Sequence, residues 1–231
     1  MDVRSRYKEV SETDVVREYE ASASEATPYG RAKWGSEASM INRFHFVLHT
    51  LPMEQIDSWL DIGCGEADFF ALAEEKGYRF KRLVGHDITP SMIDKARMKT
   101  FASPAEFHLG NLDQVETYED GFDLVTLLGV LQQCGMRPAH ALRAASLAVK
   151  PGGLLFLTTK HIGWEEFTSE RLQPDPSHSW FSEEELTEAV TLSGLTLVTL
   201  GGFLPRENEV VPPERSHMVY LLAKKEPGGS K

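Results

Sequence analysis

The chain has 231 residues, 41% of them hydrophobic and 26% charged, which suits one globular domain with a buried core. Its formal net charge of −11 repels phosphate groups and so disfavours nucleic acid and anionic membranes as partners. Two cysteines, Cys64 and Cys134, are too few for a disulfide framework. We also find no apolar leader and no apolar segment of the ~20 residues that span a bilayer. We therefore expect a cytoplasmic protein.

The first 50 residues differ from the rest and predict a helical extension. They are polar, with a break at residues 27–30, and apolar residues then recur at near-helical spacing until Pro52. We expect residues 1–50 to form a helical lid and residues 51–225 to form the main domain. Residues 226–231 read as a flexible tail.

Beyond the extension, strand-like and helix-like segments alternate in the chain. The strand-like segments are SWLDIG, RLVGHDI, AEFHLG, FDLVTLLG and GLLFLTTK. This alternation predicts an α/β fold with a mostly parallel, doubly wound sheet. The last two segments, LTLVTLGGF and SHMVYLLAKK, have no helix between them and so predict an antiparallel hairpin. We therefore expect a seven-stranded sheet that ends in this hairpin.

A glycine turn follows the first strand, in the segment LDIGCGEA. Gly63 and Gly65 let the backbone approach a ligand closely, and the next helix offers unpaired N–H groups at its start. The turn therefore suits an anionic or carboxylate-bearing ligand, although a ligand-free tight turn is an alternative. A dinucleotide site would carry a third glycine where Asp68 stands, which argues against a nicotinamide cofactor.

An acidic residue, Asp87, ends the second strand. A carboxylate at that strand end can accept hydrogen bonds from both hydroxyls of a ribose. The alternative is an aspartate that only caps the following helix or turn. Together, the glycine turn and Asp87 indicate an adenosine ligand with a further group bound at the turn.

The order of these motifs resembles the class I, seven-stranded S-adenosylmethionine-dependent methyltransferases, and most closely those acting on small molecules. The resemblance covers residues 56–225 and includes LDIGCG, GHDITPSMIDKA, GNLDQV, FDLVTLLGVLQQC and LAVKPGGLLFLTTK. It implies S-adenosylmethionine as cofactor, S-adenosylhomocysteine as product, and in-line SN2 transfer of a methyl group to an oxygen, nitrogen or carbon atom. We expect a monomer or homodimer, a small-molecule acceptor and no metal.

The resemblance also implies which residues contact the cofactor. The turn after the first strand would hold the methionine end, Asp87 the ribose, and the next loops the adenine and the sulfonium. There are three departures: Ala67 where the family usually has a third glycine, Asn111 where it usually has aspartate, and no histidine near Gln132 and Gln133, where the family often has one. The full set is Asp61, Gly63, Cys64, Gly65, Asp87, Ile88, Met92, Asn111, Leu112, Leu128 and Gln133.

Candidate acceptor residues come from two aromatic segments. The loop after the fifth strand begins at His161, our candidate general base, and also carries His178 as a weaker one. In the extension, Tyr29 and Trp34 are candidates to close over the sulfonium. For each of these side chains, ordinary packing is the alternative. Other readings of the chain are a protein or RNA methyltransferase, a nicotinamide-dependent oxidoreductase and a non-catalytic binding protein.

Overall fold

The computed structural model describes residues 8, 10–112, 118, 120–133, 135 and 137–227. Cys134 lies outside the described residues. So do the last four residues of the expected tail, 228–231, and the end of the GNLDQV motif.

Within these described residues, a single sheet of eight strands organises the chain, in the order β3-β2-β1-β4-β5-β8-β6-β7. Strands β1 to β5 run parallel, and β8 lies antiparallel between β5 and β6. This confirms the expected mostly parallel, doubly wound sheet with an antiparallel C-terminal end. The strands are β1 Ser58–Ile62, β2 Arg82–Asp87, β3 Ala105–Leu109, β4 Phe122–Leu128, β5 Val149–Lys160, β6 Thr196–Leu204, β7 Glu209–Val211 and β8 Met218–Lys224.

One strand of the eight, β7, was not expected, because the segment between β6 and β8 has the sequence of a loop. The chain instead turns back at Asn208, whose φ of 54° is a left-handed conformation that asparagine tolerates better than most residues. Phe203 then pairs with Val210, so that β7 forms a short edge strand on β6. A 3-10 helix, Pro213–Arg215, leads from there into β8.

Helices cover both faces of the sheet, because side chains alternate between the faces along each buried strand. On β1, for example, Trp59 belongs to one core cluster and Leu60 to the other. Helices α3, α4 and α5 pack on the Trp59 face, and α6 and α8 pack on the Leu60 face. The helices are α1 Glu12–Ser22, α2 Pro28–Arg31, α3 Glu37–Thr50, α4 Asp68–Glu75, α5 Pro90–Met98, α6 Pro138–Ala148, α7 Glu165–Thr168 and α8 Glu183–Leu192.

The N-terminal extension is helical, but its parts lie in different places. In α3, the ring of Phe44 stacks on Phe69 of α4 with centroids 4.7 Å apart, so this helix is part of the core. Helix α3, which precedes the expected boundary at residue 50, thus shares a core cluster with β1 and α4. In contrast, α1 begins at a capping box formed by Ser11 and Asp14 and has only Val15 buried. Along the described ranges, no helix has the length and apolar character needed to cross a membrane.

Candidate active site

A cavity of about 610 Å³ opens at the carboxyl ends of β1, β2 and β4. The strand order reverses between β1 and β4, and ligands of doubly wound sheets bind at such a point. The volume is within the ~300–1,000 Å³ that is typical of small-molecule sites. Loops after the strands form its floor, and the wall opposite comes from α1, Trp34 and α3.

The glycine turn after β1 forms part of the floor. Its first two amides, those of Gly63 and Cys64, both donate to the carbonyl oxygen of His86, over 2.7 and 3.0 Å, and so tie the turn to β2. Gly63 has φ +77° and Gly65 has φ +53°, a region that side-chain-bearing residues rarely adopt. A Cβ on Gly63 would lie 2.4 Å from Cγ2 of Val130, whereas one on Gly65 would meet only open space.

The turn continues into α4 through Ala67, which replaces the family's third glycine. Ala67 is fully buried and has φ 61° and ψ 31°, so it keeps a left-handed conformation despite its Cβ. Such a conformation costs a residue with a side chain about 1–2 kcal/mol. The departure in sequence thus leaves the path of the turn intact and stores a small strain beside the cavity.

The carboxylate of Asp87 is held at the cavity by two backbone amides. Its Oδ2 accepts the N–H of Gly65 and its Oδ1 accepts the N–H of Thr89, each over 2.9 Å. Burial raises the pKa of Asp87, and these amide hydrogen bonds oppose the rise. Each carboxylate oxygen has more than one acceptor direction, so Asp87 can still accept hydrogen bonds from a pair of hydroxyls.

A second carboxyl group, that of Asp61, is buried beneath the turn at the end of β1. Its Oδ1 accepts the hydroxyl of Thr126 over 2.6 Å, and Thr126 in turn accepts the indole N–H of Trp59 over 2.8 Å. Burial raises the pKa of Asp61 to about 7, with the Thr126 hydrogen bond opposing and the charge of Asp87 adding to the rise. Asp61 therefore changes protonation near neutral pH.

The far end of the cavity is closed by apolar side chains and one amide. Met92 and Leu112 are buried in its wall. The Nδ2 atom of Asn111 donates to Oε2 of Glu12 over 3.1 Å, which connects α1 to the loop after β3. The Oδ1 atom of Asn111 is buried and has no hydrogen-bond partner in the described part of the chain. A ligand that donates a hydrogen bond would satisfy it.

Comparisons with known proteins agree with this geometry. Residues 60–157 match the family model described as "Methyltransferase domain". The malonyl-[acyl-carrier protein] O-methyltransferase of Serratia marcescens is 31% identical over 128 residues, 52% of this chain and 47% of that protein. This chain thus spans about half the length of that relative. The ubiquinone biosynthesis O-methyltransferase of Hydrogenovibrio crunogenus is 25% identical over 240 residues, 93% of this chain and 98% of the relative.

The fold also matches a solved structure, the N-methyltransferase NodS of Bradyrhizobium japonicum WM9 in complex with S-adenosylhomocysteine. The TM-score is 0.62 at 19% identity, over 91% of this chain and 98% of NodS. Residues 60–157 of this chain are thus similar to a methyltransferase domain, and the chain shares the fold of a solved methyltransferase. This similarity agrees with the occurrence of a glycine turn, a carboxylate at the end of β2 and a cavity at one place in the fold.

The residues at the cavity fit S-adenosylmethionine, the cofactor that the sequence resemblance implies. Gly65 leaves open space where any side chain would protrude, so that a ligand can lie against the turn. The half-buried carboxylate of Asp87 can accept from ribose hydroxyls, and the unpaired Oδ1 of Asn111 can accept from the adenine amino group.

The structure brings all the predicted cofactor residues to one cavity. Trp34, predicted as a lid residue, lines the same cavity. The predicted residues that line it are Trp34, Asp61, Gly63, Cys64, Gly65, Asp87, Ile88, Met92, Asn111, Leu112, Leu128 and Gln133.

Three predicted acceptor residues do not line this cavity. His161 is only 1% exposed, and its Nδ1 lies 3.0 Å from the carbonyl oxygen of Pro213. Its backbone pairs with Phe181, because the loop after β5 folds back beside the strand end. This corrects the expected position of the candidate base. Tyr29 packs against the core instead, and Nδ1 of His178 lies 3.0 Å from the hydroxyl of its neighbour, Ser177.

From this position, we expect His161→Ala to affect stability and not cofactor binding. The substitution removes a buried hydrogen bond and leaves a small cavity, which together cost about 1–3 kcal/mol. Urea unfolding should show this loss, and calorimetric titration should give the wild-type affinity for S-adenosylhomocysteine. An unchanged unfolding free energy with weakened cofactor binding would contradict the structural role.

Some cavity residues were missed by the sequence analysis. Helix α1 supplies Glu12, Val15 and Tyr19, and the turn after β4 supplies Gln132, which is buried and accepts the Thr159 hydroxyl over 3.3 Å. The α1 segment reads only as a polar helix, and no local motif distinguishes its cavity-facing side.

Proposed function

We propose that this protein transfers a methyl group from S-adenosylmethionine to an oxygen, nitrogen or carbon atom of a small molecule. The observation that carries the proposal is the cavity of about 610 Å³, which is lined by the glycine turn, Asp87, Trp34 and Gln132. A cavity of this size suits a small acceptor better than a polymer. The names of the two sequence relatives, both O-methyltransferases, support this acceptor class. The cytoplasmic location and the monomeric or dimeric state stay part of this proposal.

In this proposal, the cofactor lies along the carboxyl ends of β1, β2 and β3. Asp61, Gly63 and Gly65 face its amino-acid end, Asp87 accepts from the ribose hydroxyls, and Asn111 accepts from the adenine. When bound, S-adenosylmethionine supplies a methyl group on a positively charged sulfur that is already activated for transfer. The chain itself then has to hold the reacting groups in line and exclude water.

The walls of the cavity suit this task. The flat face of Trp34 attracts cations and would face the charged sulfur from the extension side. Gln132 has its Oε1 engaged with Thr159, which fixes the amide and leaves its Nε2 to orient an acceptor. Helix α1 covers the site and is anchored by the Glu12–Asn111 hydrogen bond and by Glu20, whose Oε1 accepts the N–H of Ser91 over 2.9 Å.

The buried carboxyl of Asp61 predicts a pH dependence of stability. Its pKa is raised from 3.8 to about 7 in the folded protein, so between these values the folded chain holds a proton that the unfolded chain has released. Stability should therefore fall as the pH rises towards 7, by at most about 1.4 kcal/mol per pH unit from this group. Urea unfolding across this range should show that wild type loses more stability with rising pH than Asp61→Asn does, because only wild type keeps this carboxyl group. Parallel pH profiles for the two proteins would contradict the raised pKa.

The proposed function is tested most directly by calorimetric titration with S-adenosylmethionine, S-adenosylhomocysteine and NAD. We expect the two adenosyl ligands to bind with micromolar affinity and NAD not to bind, because Asp68 stands where a dinucleotide site has glycine. Screening small molecules for methyl transfer then identifies the acceptor. Binding of NAD alone, or of none of the three, would refute the proposal.

A further inference from the structure

One buried amide side chain lines the cavity with its donor group unused. Gln132, in the turn after β4, is only 8% exposed and forms part of the cavity wall. Its Oε1 accepts the hydroxyl of Thr159 over 3.3 Å, and its backbone carbonyl oxygen accepts the N–H of Ser179 over 2.9 Å. Among the described residues, Nε2 of Gln132 has no hydrogen-bond partner. The amide is therefore fixed in place and still has N–H donors for a ligand.

This amide nitrogen lies where β4 ends. Gly129 directly follows β4, and a Cβ added to it would lie 3.1 Å from Nε2 of Gln132 and 3.3 Å from Cη2 of Trp34. Because Gly129 has no side chain, the amide nitrogen and the edge of the indole ring flank the same point above bare backbone. All three residues line the cavity. A molecule bound at this point therefore contacts both the Trp34 ring and the Gln132 amide.

The neighbouring part of the cavity wall is apolar. Trp34 meets Phe44 edge-on, with ring centroids 6.2 Å apart, and Met40, one helical turn earlier on α3, also lines the cavity. An apolar ligand body is favourable in such surroundings, because its burial removes apolar surface from water. The same burial displaces water from the Gln132 amide. Its N–H group is then left unpaired, at a cost of about 1–3 kcal/mol, unless the ligand itself supplies a hydrogen-bond acceptor.

The chemistry of an amide limits what Gln132 can do. It offers N–H donors and a carbonyl oxygen, but it neither gains nor loses a proton as a histidine at this place would. Gln132 is therefore suited to orienting a bound molecule and not to deprotonating it. Hydroxyl and carbonyl oxygens carry the lone pairs that such a donor binds, whereas a protonated amine offers only donors of its own.

We propose that the methyl acceptor is a largely apolar molecule with a hydroxyl or carbonyl oxygen at or next to the methylated atom, and that Gln132 binds this oxygen through Nε2. This inference rests on the proposed function and specifies its substrate class. Trp34 and Phe44 contact the apolar body of the acceptor. Thr159 is a positioning residue, because its hydroxyl holds Oε1 of Gln132 and so turns the NH2 group towards the acceptor.

The test is an NMR titration of the protein saturated with S-adenosylhomocysteine, with two pairs of probes. Acetophenone and α-methylstyrene have the same shape and differ by a carbonyl oxygen, and phenol and toluene differ by a hydroxyl. The ratio of the acetophenone affinity to the α-methylstyrene affinity should be about three- to tenfold higher in wild type than in Gln132→Leu, the effect of one neutral hydrogen bond. Gln132→Glu, which has no N–H donor, should lose this preference as well, and Thr159→Val should retain only part of it. Whichever oxygen probe gains more over its match distinguishes a carbonyl from a hydroxyl group.

Gln55→Leu is the matched control, because it removes the same amide from an exposed residue just before β1, at the opposite edge of the sheet. It should keep the preference of wild type. The same acetophenone ratio in wild type and Gln132→Leu, or no measurable binding of acetophenone, would overturn the inference. A gain for phenol without one for acetophenone would also overturn it, since the amide would then present its oxygen. If Gln132→Leu does not fold, Gln132→Glu decides. Failure of wild type to bind S-adenosylhomocysteine would refute the proposed function itself.

Discussion

Gly65→Ala is expected to lose most of the affinity for S-adenosylmethionine while the protein stays folded. The added Cβ meets no protein atom within 4 Å, so it projects into the space that the ligand needs. The left-handed φ of +53° adds a strain of about 1–2 kcal/mol, which a domain of ordinary stability tolerates. We expect the dissociation constant, measured by calorimetry, to rise by about tenfold or more.

Gly77→Ala is the control that separates strain from obstruction of the site. Gly77 also has a left-handed φ, of +96°, and also has nothing near the position of a Cβ, but it follows α4 away from the cavity. Both variants should therefore lose a similar free energy of unfolding, and only Gly65→Ala should lose cofactor affinity. Equal losses of affinity in the two variants would show that backbone strain, rather than contact with the ligand, is the cause.

Gly63→Ala should behave differently from both. Its Cβ would approach Cγ2 of Val130 to 2.4 Å, so the turn and the loop after β4 would have to move apart. We expect a larger loss of stability than for Gly77→Ala, because steric overlap is added to the strain of a φ of +77°. Compared with the Gly77→Ala control, the two turn variants therefore separate contact with the ligand at Gly65 from steric overlap with Val130 at Gly63.

Local patterns account for the parts of the fold and site that the sequence predicted. The strand–turn–helix pattern around Gly63 and Gly65 uses only neighbouring residues, and the position of Asp87 follows from the end of one strand. The antiparallel end of the sheet followed from the missing helix before β8, since a parallel pair needs a long crossover. None of these predictions required knowing which segments, distant in the sequence, contact each other in the fold.

The parts that the sequence did not predict depend on contacts between distant segments. The hydrogen bond from Thr126 to Asp61 joins the interiors of two strands, and a threonine in a strand carries no signal of such a partner. His161 does follow β5, as expected, but its backbone pairs with Phe181, and that pairing depends on how the loop returns. Nothing in the sequence separates Arg43 from a surface arginine, whereas the structure buries it on α3 against the ring of Trp34.

Strand β7 and the side of α1 that lines the cavity were missed for a similar reason. The residues of β7 are polar or half-exposed and show no alternation that marks a strand, so the pairing with β6 depends on the turn at Asn208. Helix α1 is joined to the cavity by polar contacts with residues that are distant in the sequence, such as the hydrogen bond from Asn111 to Glu12. Neither feature leaves a periodic pattern in the sequence.

Asp87→Asn is expected to weaken binding of S-adenosylmethionine and S-adenosylhomocysteine by about ten- to a hundredfold, the effect of losing hydrogen bonds to a charged acceptor. Both carboxylate oxygens accept a backbone N–H, from Gly65 and from Thr89. An asparagine has one oxygen, so its NH2 group must face one of these donors. The substitution therefore removes the ribose acceptor and also loosens the glycine turn from β2.

Asp123→Asn provides the control for the structural part of this effect. Oδ2 of Asp123 accepts two backbone amides, those of Asp57 and Ser58, but at the opposite edge of the sheet. Both variants should lose about 1–3 kcal/mol of unfolding free energy in urea. In Asp87→Asn the NH2 group must face a backbone donor, and in Asp123→Asn it replaces the carboxylate oxygen that pairs with Lys150. Only Asp87→Asn should lose cofactor affinity, since only its carboxylate lines the cavity. If Asp87→Asn bound both adenosyl ligands as wild type does, the carboxylate would serve the turn alone, and ribose recognition would have to come from other residues.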